Sequence, residues 1–243
     1  MSNLAYWDYQ SALWLFNLLK SSGLSEIAAA GVLGNIYQES AKICPFCVEG
    51  WESDYAKQWE ITETQVRTTQ TALEFANQTY RYGTKKGYGL AQWTEKSRKI
   101  AYWNYVYNGM DHTLLGNMTR DGNYLVHDLQ TWSMTTSCDS SYWSAQGKTT
   151  WQWLSDPNVS LADAVKAVLM IYERPYLAIH GKGNVEFDLR YGYAQNIYND
   201  MTGQTPPPTP PPDPPTPPTP PTPPSSPGLP VWLLFKLKER GDM

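Results

Sequence analysis

The sequence predicts a mainly α-helical domain built round one buried central helix. Two observations carry this. Apolar residues recur at helical spacings through most of the first two hundred positions. One segment, Leu24 to Ile36, is apolar or small at nearly every position, with Glu26 and Asn35 the main exceptions. A helix that is apolar on most faces belongs inside a domain. A third observation sets the limit of the domain: after Gly203 the composition turns sharply to proline.

Asp8 to Lys20 reads as the first helix, with Ala12, Leu13, Leu15, Phe16 and Leu19 at helical spacings. Lys20 suits its last turn, and Gly23 is a plausible stop. The central helix follows, with Ser25 as N-cap. Gly31 and Gly34 each disfavour a helix by roughly 1 kcal/mol relative to Ala, so their presence predicts the close approach of another helix. The segment ends in Gln38-Glu39-Ser40. A carboxylate at the negative end of a buried helix is disfavoured in its ionised form by the dipole and by dryness. Such an acid can protonate a leaving oxygen near neutral pH. A solvated helix-end glutamate fits the same residues.

Cys44 to Tyr82 is less regular. Trp51, Tyr55 and Trp59 are four apart, and Glu49, Glu52 and Asp54 lie among them. Thr64 to Tyr80 reads as a helix with Val66, Leu73 and Phe75 inward. Cys44-Pro45-Phe46-Cys47 has CxxC spacing without a thioredoxin-like context, and reads as a local disulfide or two thiols pinning a loop. A zinc site would need further ligands, and Cys138, His112, His127 and His180 are irregularly spaced. No metal is expected.

Gly83 to Trp93 holds three glycines in a short span, which predicts turns and close backbone approach. Gln92 and Trp93 beside such a turn suit a polar ligand, the amide bonding directionally and the indole offering a flat wall. A β-turn with a core Trp fits as well. Helices are expected from about Thr94 to Tyr107 and from Tyr124 to Trp132, with a Ser- and Thr-rich loop over Thr135 to Gly147. A short apolar turn is expected at Trp151 to Leu154. Ser160 and Asp163 resemble a capping box ahead of a helix from Leu161 to Tyr172, which Pro175 stops. Arg190 to Met201 reads as the last helix.

The net charge of -4 argues against nucleic acid as the main partner, because phosphate binding needs clustered Lys and Arg. Eleven Trp and 17 Tyr serve either to fill a core or to line a sugar-binding cleft, since flat rings pack on sugar faces. No signal peptide is read at the N-terminus, and no run is long enough to span a membrane. The expected organisation is a domain over residues 1–203, a polyproline spacer over 204–228 and a short apolar and basic tail over 229–243. The tail is expected to dock on a partner.

Three ordered segments resemble the phage tail lysozymes. They are Ala29-Ala30-Gly31-Val32-Leu33-Gly34-Asn35-Ile36-Tyr37-Gln38-Glu39-Ser40, then Gly87-Tyr88-Gly89-Leu90-Ala91-Gln92-Trp93, then Tyr172-Glu173-Arg174-Pro175. The resemblance covers about residues 5 to 201. The first two segments also look like the Glu-Ser and Gly-Leu-Met-Gln motifs of goose-type lysozymes and lytic transglycosylases. The resemblance implies a mainly α (α+β), lysozyme-like two-lobed fold with a central buried helix and a substrate cleft. It implies Glu39 as catalytic acid. It implies Ser40, Tyr88, Gln92, Trp93 and Tyr172 as substrate-binding residues, and a structural Glu173 paired with Arg174. Glu49, Glu52 and Asp54 are candidates by position for a second carboxylate.

The implied activity is a phage tail-associated glycosidase acting on the β-1,4 bond between N-acetylmuramic acid and N-acetylglucosamine in peptidoglycan. A lytic transglycosylase giving 1,6-anhydro products is the alternative, and a non-catalytic wall-binding module the third. No cofactor is required in any version. The implied partners are glycan strands and, through the C-terminal tail, other phage tail proteins. The implied location is the virion, at the tail tip. The family often follows Glu-Ser with an aromatic residue and a proline, whereas Ala41-Lys42-Ile43-Cys44 stands here. Some members carry a metal-dependent peptidase domain where this chain has polyproline. No HxxxD- or HxH-type set is present, so the expected cut is glycosidic only.

Overall fold

A computed structural model describes residues 6–40, 42–81, 84–85, 87–107 and 112–204. The expected spacer and tail lie outside them, apart from Gln204. The described chain is mainly helical, with one short antiparallel strand pair, β1 (Thr79–Arg81) and β2 (Thr84–Lys85).

Helix α1 (Tyr6–Ser21) buries Ala12, Leu15, Phe16 and Leu19. Gly23, at φ +101°, turns the chain into α2 (Glu26–Glu39). Ser25 caps α2 by accepting a hydrogen bond from the Ala28 amide. Every residue of α2 from Ala28 to Ile36 is buried, so this helix is the centre of the domain. It packs chiefly on α10 (Gly183–Thr202) and α8 (Leu161–Ala167), and also on α1. The two glycines make these contacts. Gly31 faces Ala164 of α8, and Gly34 faces the Arg190 carbonyl and Ala194 of α10. Between them, the buried Asn35 amide donates to Gly31 O at 2.9 Å and across to Val165 O at 3.2 Å. That bond ties α2 to α8 inside the core.

The single helix expected from Thr64 to Tyr80 is not formed. Helix α3 (Tyr55–Ile61) runs on as a π-helical turn over Thr62–Val66 and stops. Helix α4 (Ala72–Ala76) then starts afresh, and β1 follows. The threonines account for the break. Thr68 and Thr69 return their hydroxyls to carbonyls of the preceding turn, and Thr71 caps α4 by accepting from the Glu74 amide. Helix α5 (Lys96–Tyr107) and helix α6 (Met118–Thr131) follow, the latter opening earlier than expected because Asn117 caps it. The expected turn at Trp151 is α7 (Thr150–Leu154), with a full capping box from Thr149 and Gln152. Ser160 caps α8, which passes into a second π-helical segment, Val168–Glu173. The short α9 (Tyr176–Ile179) leads to α10, which ends at Gly203, φ +70°.

Much of the aromatic content is core. Trp93 stacks on Tyr102 at 4.8 Å, with Phe75, Tyr88 and Tyr124 packed around them. Asp121 is fully buried beside this cluster. Its Oδ1 accepts from the Tyr102 hydroxyl at 2.9 Å, while Oδ2 has no partner. Burial pushes its carboxyl well above the ordinary value of 3.8, against the Tyr102 hydrogen bond and Arg67. The folded state therefore holds this proton more tightly than the unfolded chain. Its stability contribution is complete below about pH 4 and is lost as pH rises. Asp121→Asn is expected to melt roughly 2–4 °C above wild type at pH 8, with the gap closing below about pH 4. An Asn variant less stable than wild type across this range in a thermal melt contradicts the assignment.

No helix among the described residues is long and apolar enough to cross a membrane.

Candidate active site

The C-terminal end of α2 opens into a cleft of about 690 Å³. Glu39 is the last residue of α2 and lines it. Ser40 is buried behind, its amide and hydroxyl both donating to Ile36 O, at 2.9 and 2.8 Å. Ser40 therefore closes the helix and does not line the cleft.

Arg190 reaches Glu39 from α10. It is 2% exposed, and its guanidinium is bracketed by the carboxylates of Glu39 and Glu186. A cation so buried is tolerable only with charged partners. Gly34 makes the contact geometrically available, since the missing Cβ lets the backbone of α10 at Arg190 settle against α2.

The opposite side is built by two loops laced together. The Gly89 amide donates to Cys47 O at 2.9 Å, and the Glu49 amide to Gly87 O at 3.2 Å. Val48 and Tyr88 form an isolated bridge. Gln92 lies in the left-handed region, φ +45°, and its Nε2 donates to Cys47 O and Gly89 O at 3.1 and 2.9 Å. Its Oε1 is buried without a partner, and the residue lines the cleft. Glu49 and Glu52 also line it. Glu49 Oε2 accepts from the Gly87 amide at 2.8 Å, and Glu52 Oε1 from the Gly50 amide at 2.5 Å. Asp54 is not a lining residue of this cleft. Its side chain caps α3, accepting from the Lys57 amide at 2.9 Å.

Tyr88 and Trp93, expected on the substrate wall, lie in the core instead. Tyr88 is 0% exposed with its hydroxyl 3.1 Å from Thr62 Oγ1. Trp93 is 1% exposed. The physical reason is the large apolar area of each ring, which gains most by complete burial. Trp93 still reaches the site indirectly. Its indole N–H donates to Asp128 Oδ2 at 3.1 Å, the same oxygen that accepts from the Tyr172 hydroxyl at 2.7 Å and from Arg98 at 2.8 Å. Asp128 thus fixes three side chains at once. Tyr172 lines the cleft, and Arg98 lies over its ring at 4.4 Å and over Trp132 at 4.7 Å.

Glu173 ends the π-helical segment and enters the same cleft. Arg174 follows in the left-handed region, φ +51°. The expected Glu173–Arg174 pair is not formed, because Arg174 donates to Thr136 O at 3.1 Å and lies against Met134 Sδ. One carboxyl oxygen of Glu173, Oε1, is buried with no hydrogen-bond partner. Burial first, and then the charge of Glu39, push the Glu173 carboxyl well above the usual carboxylate range, against Arg98 and Arg190. Beyond Pro175, Tyr176 is 72% exposed at the cleft, with Ile179 beside it.

The sequence reading missed Arg98, Arg190, Trp132 and Tyr176. Arg190 carried a partial signal, standing four residues after Glu186 on one helix face. Its second partner is 151 positions away and left no local trace.

Cys44, Cys47 and Cys138 are thiols, so of the two readings of the CxxC spacing the pair of thiols holds and the local disulfide does not. Cys44 Sγ donates to Gln58 Oε1 at 3.7 Å. Burial, then Cys44, pushes the Cys47 thiol far above its ordinary range, which makes it inert. Among the described residues no group of three His, Cys, Asp or Glu side chains is arranged to hold a metal ion.

The model of the phage tail lysozyme family matches residues 10–201. No curated protein matches the chain at a significant level. With most of its length matched, the chain belongs to the phage tail lysozyme family, peptidoglycan-degrading enzymes of the phage tail.

Proposed function

We propose that this phage tail lysozyme cuts the β-1,4 bond between N-acetylmuramic acid and N-acetylglucosamine, with Glu39 as general acid. One observation carries the reading: Glu39, Gln92, Tyr172 and Glu173, from three separate stretches of sequence, line one open cleft with charged walls. A glycan strand laid in it presents its glycosidic oxygen to Glu39. Proton donation to that oxygen lets the bond break as positive charge develops at the anomeric carbon. Gln92 braces the cleft wall, its Nε2 donating to Cys47 O and Gly89 O so that the two loops keep their spacing beside the glycan.

In the hydrolytic version a second carboxylate activates water or attacks the anomeric carbon, and Glu49 and Glu52 are the cleft carboxylates for that role. A second reading is favoured by their bonds to the Gly87 and Gly50 amides, which suit loop-holding carboxylates. In it the muramic 6-hydroxyl attacks, and the product is a 1,6-anhydro sugar.

Digestion of purified peptidoglycan, with products read by mass spectrometry, tests both. Free reducing ends are expected of the hydrolase, and products one water lighter of the transglycosylase. A folded wild type that binds peptidoglycan and releases neither belongs to the wall-binding class. Tyr176 at the mouth is read as a sugar platform. Tyr176→Ala is expected to raise KM roughly 3- to 10-fold with kcat little changed, the effect of about 1 kcal/mol of ring packing. An unchanged KM removes Tyr176 from the site. On the same reading residues 204–228 are a spacer holding the enzyme at the tail tip, and 229–243 dock on another tail protein.

A further inference from the structure

We infer that Arg174 is a specificity-determining residue whose guanidinium binds a carboxylate carried on the lactyl arm of the muramic sugar. The inference rests on a peptidoglycan strand lying in the cleft beside Glu39.

The sugar rings of such a strand are uncharged. Its anionic groups hang from the lactyl arm, either as the lactyl carboxyl itself or as carboxyls of the peptide attached to it. Most of the cleft repels them, because Glu39, Glu49, Glu52, Glu95 and Glu173 all line it. Two cations line it as well, Arg98 and Arg174. Arg98 is committed to the protein. Its Nη2 donates to Asp128 at 2.8 Å and its Nη1 to Tyr172 O at 3.4 Å, while its Nε is buried without a partner. Arg190, behind Glu39, is bracketed by two carboxylates.

Arg174 is placed differently. Only Nη1 is anchored, by the Thr136 carbonyl at 3.1 Å and by Met134 Sδ. Nε and Nη2 make no hydrogen bond to the described residues, and the half-buried side chain does not enclose them. That edge of the guanidinium presents two parallel N–H groups, the fork that matches a carboxylate. The backbone holds the fork where it is. Arg174 lies at φ +51°, ψ +53°, a left-handed conformation uncommon for a residue with a Cβ and kept where its surroundings fix it. Here its amide donates to Leu169 O at 2.9 Å, closing the π-helical segment, and Pro175 follows at φ −64°. Its guanidinium is bonded towards Thr136 and so is not neutralised by the adjacent Glu173. Tyr176, the ring at the mouth of the cleft, stands two residues on.

The test compares kcat/KM of wild type, Arg174→Gln and Arg174→Lys on two substrates. One is purified peptidoglycan. The other is the same material with its carboxyls converted to primary amides by carbodiimide and ammonia. Arg174→Gln is expected to lose roughly tenfold on the native substrate and less than about threefold on the amidated one. Arg174→Lys keeps the charge without the fork, and is expected to fall between wild type and Arg174→Gln on the native substrate. Equal losses of Arg174→Gln on both substrates overturn the inference, since a merely structural role takes no account of substrate charge. Should Arg174→Gln not fold, wild type decides. It is expected to cut native strands roughly tenfold faster than amidated ones at low salt, with the advantage shrinking as salt rises, and equal rates overturn the inference. Strands stripped of peptide by an amidase keep only the lactyl carboxyl. A loss of roughly tenfold by Arg174→Gln on them assigns that carboxyl as the partner, and a loss under about threefold assigns a peptide carboxyl; both are the chemistry inferred. Full activity of Glu39→Gln on both substrates overturns the reading beneath instead.

Discussion

Glu39→Gln leaves a folded protein whose peptidoglycan turnover falls roughly a hundred- to ten-thousandfold, the usual contribution of general acid catalysis. The amide matches the carboxyl in size, so α2 keeps its packing and its end at Ser40. The lost element is the ionisable proton. Arg190 loses one of its two carboxylate partners but retains Glu186, one helical turn away on α10. The fold is therefore expected to survive with a modest drop in melting temperature. Circular dichroism and a thermal melt establish that the variant is native, and a turbidity assay on cell walls gives the rate. Wild-type turnover by a native Glu39→Gln protein sinks the assignment of the acid.

Gly34→Ala is expected to be the most damaging single-methyl change in the core. A Cβ at position 34 would lie 2.6 Å from the Arg190 carbonyl oxygen, 2.7 Å from Ala194 Cβ and 2.8 Å from the Ala194 amide nitrogen. Two of these three atoms are backbone, so no side-chain rotation relieves the contact and α10 must move bodily. Overpacking of this kind costs about 1–3 kcal/mol, against which the better helix propensity of Ala returns at most about 1 kcal/mol. A fall of roughly 3–8 °C in melting temperature follows for a domain of this size. Activity is expected to drop further than stability, because the displaced segment carries Arg190 and hence the partner of Glu39. Gly192→Ala is the control. It lies on α10 with nothing within 4 Å of its added Cβ, and is expected to be neutral or slightly stabilising. Equal melting temperatures for Gly34→Ala and wild type contradict the close-packing role.

The central helix was legible because its signals are local. Its Ser25 cap, its apolar run and its two glycines can each be read from neighbours in sequence, and the glycines predicted close approach without saying of what. The break between Thr64 and Tyr80 was less legible. Its cause is a set of threonine hydroxyls competing for backbone carbonyls, which periodicity of apolar residues does not register. The cleft was legible in part. Glu39, Gln92 and Tyr172 stand in motifs and line it, whereas Tyr88 and Trp93 stand in the same motifs and lie under it. An aromatic ring suits a wall and a core equally, and only the third dimension decides. Arg98, Arg190 and Asp128 were illegible because their value lies in pairings across tens to more than a hundred positions.

The π-helical segment Val168–Glu173 has a bearing on how this chain tolerates change in length. A π-turn accommodates one residue more than an α-turn, and each residue of an α-helix advances about 100° round the axis. Removing a single residue between Val168 and Ile171 would let the segment relax into a regular continuation of α8. The π-turn is where that extra residue is held, so Tyr172 and Glu173 would keep their face towards the cleft, whereas losing a second residue would turn them by roughly 100°. Substitutions in this stretch are thus a matter of packing, and the π-turn gives the chain a one-residue allowance in length before the aim of Tyr172 and Glu173 is lost.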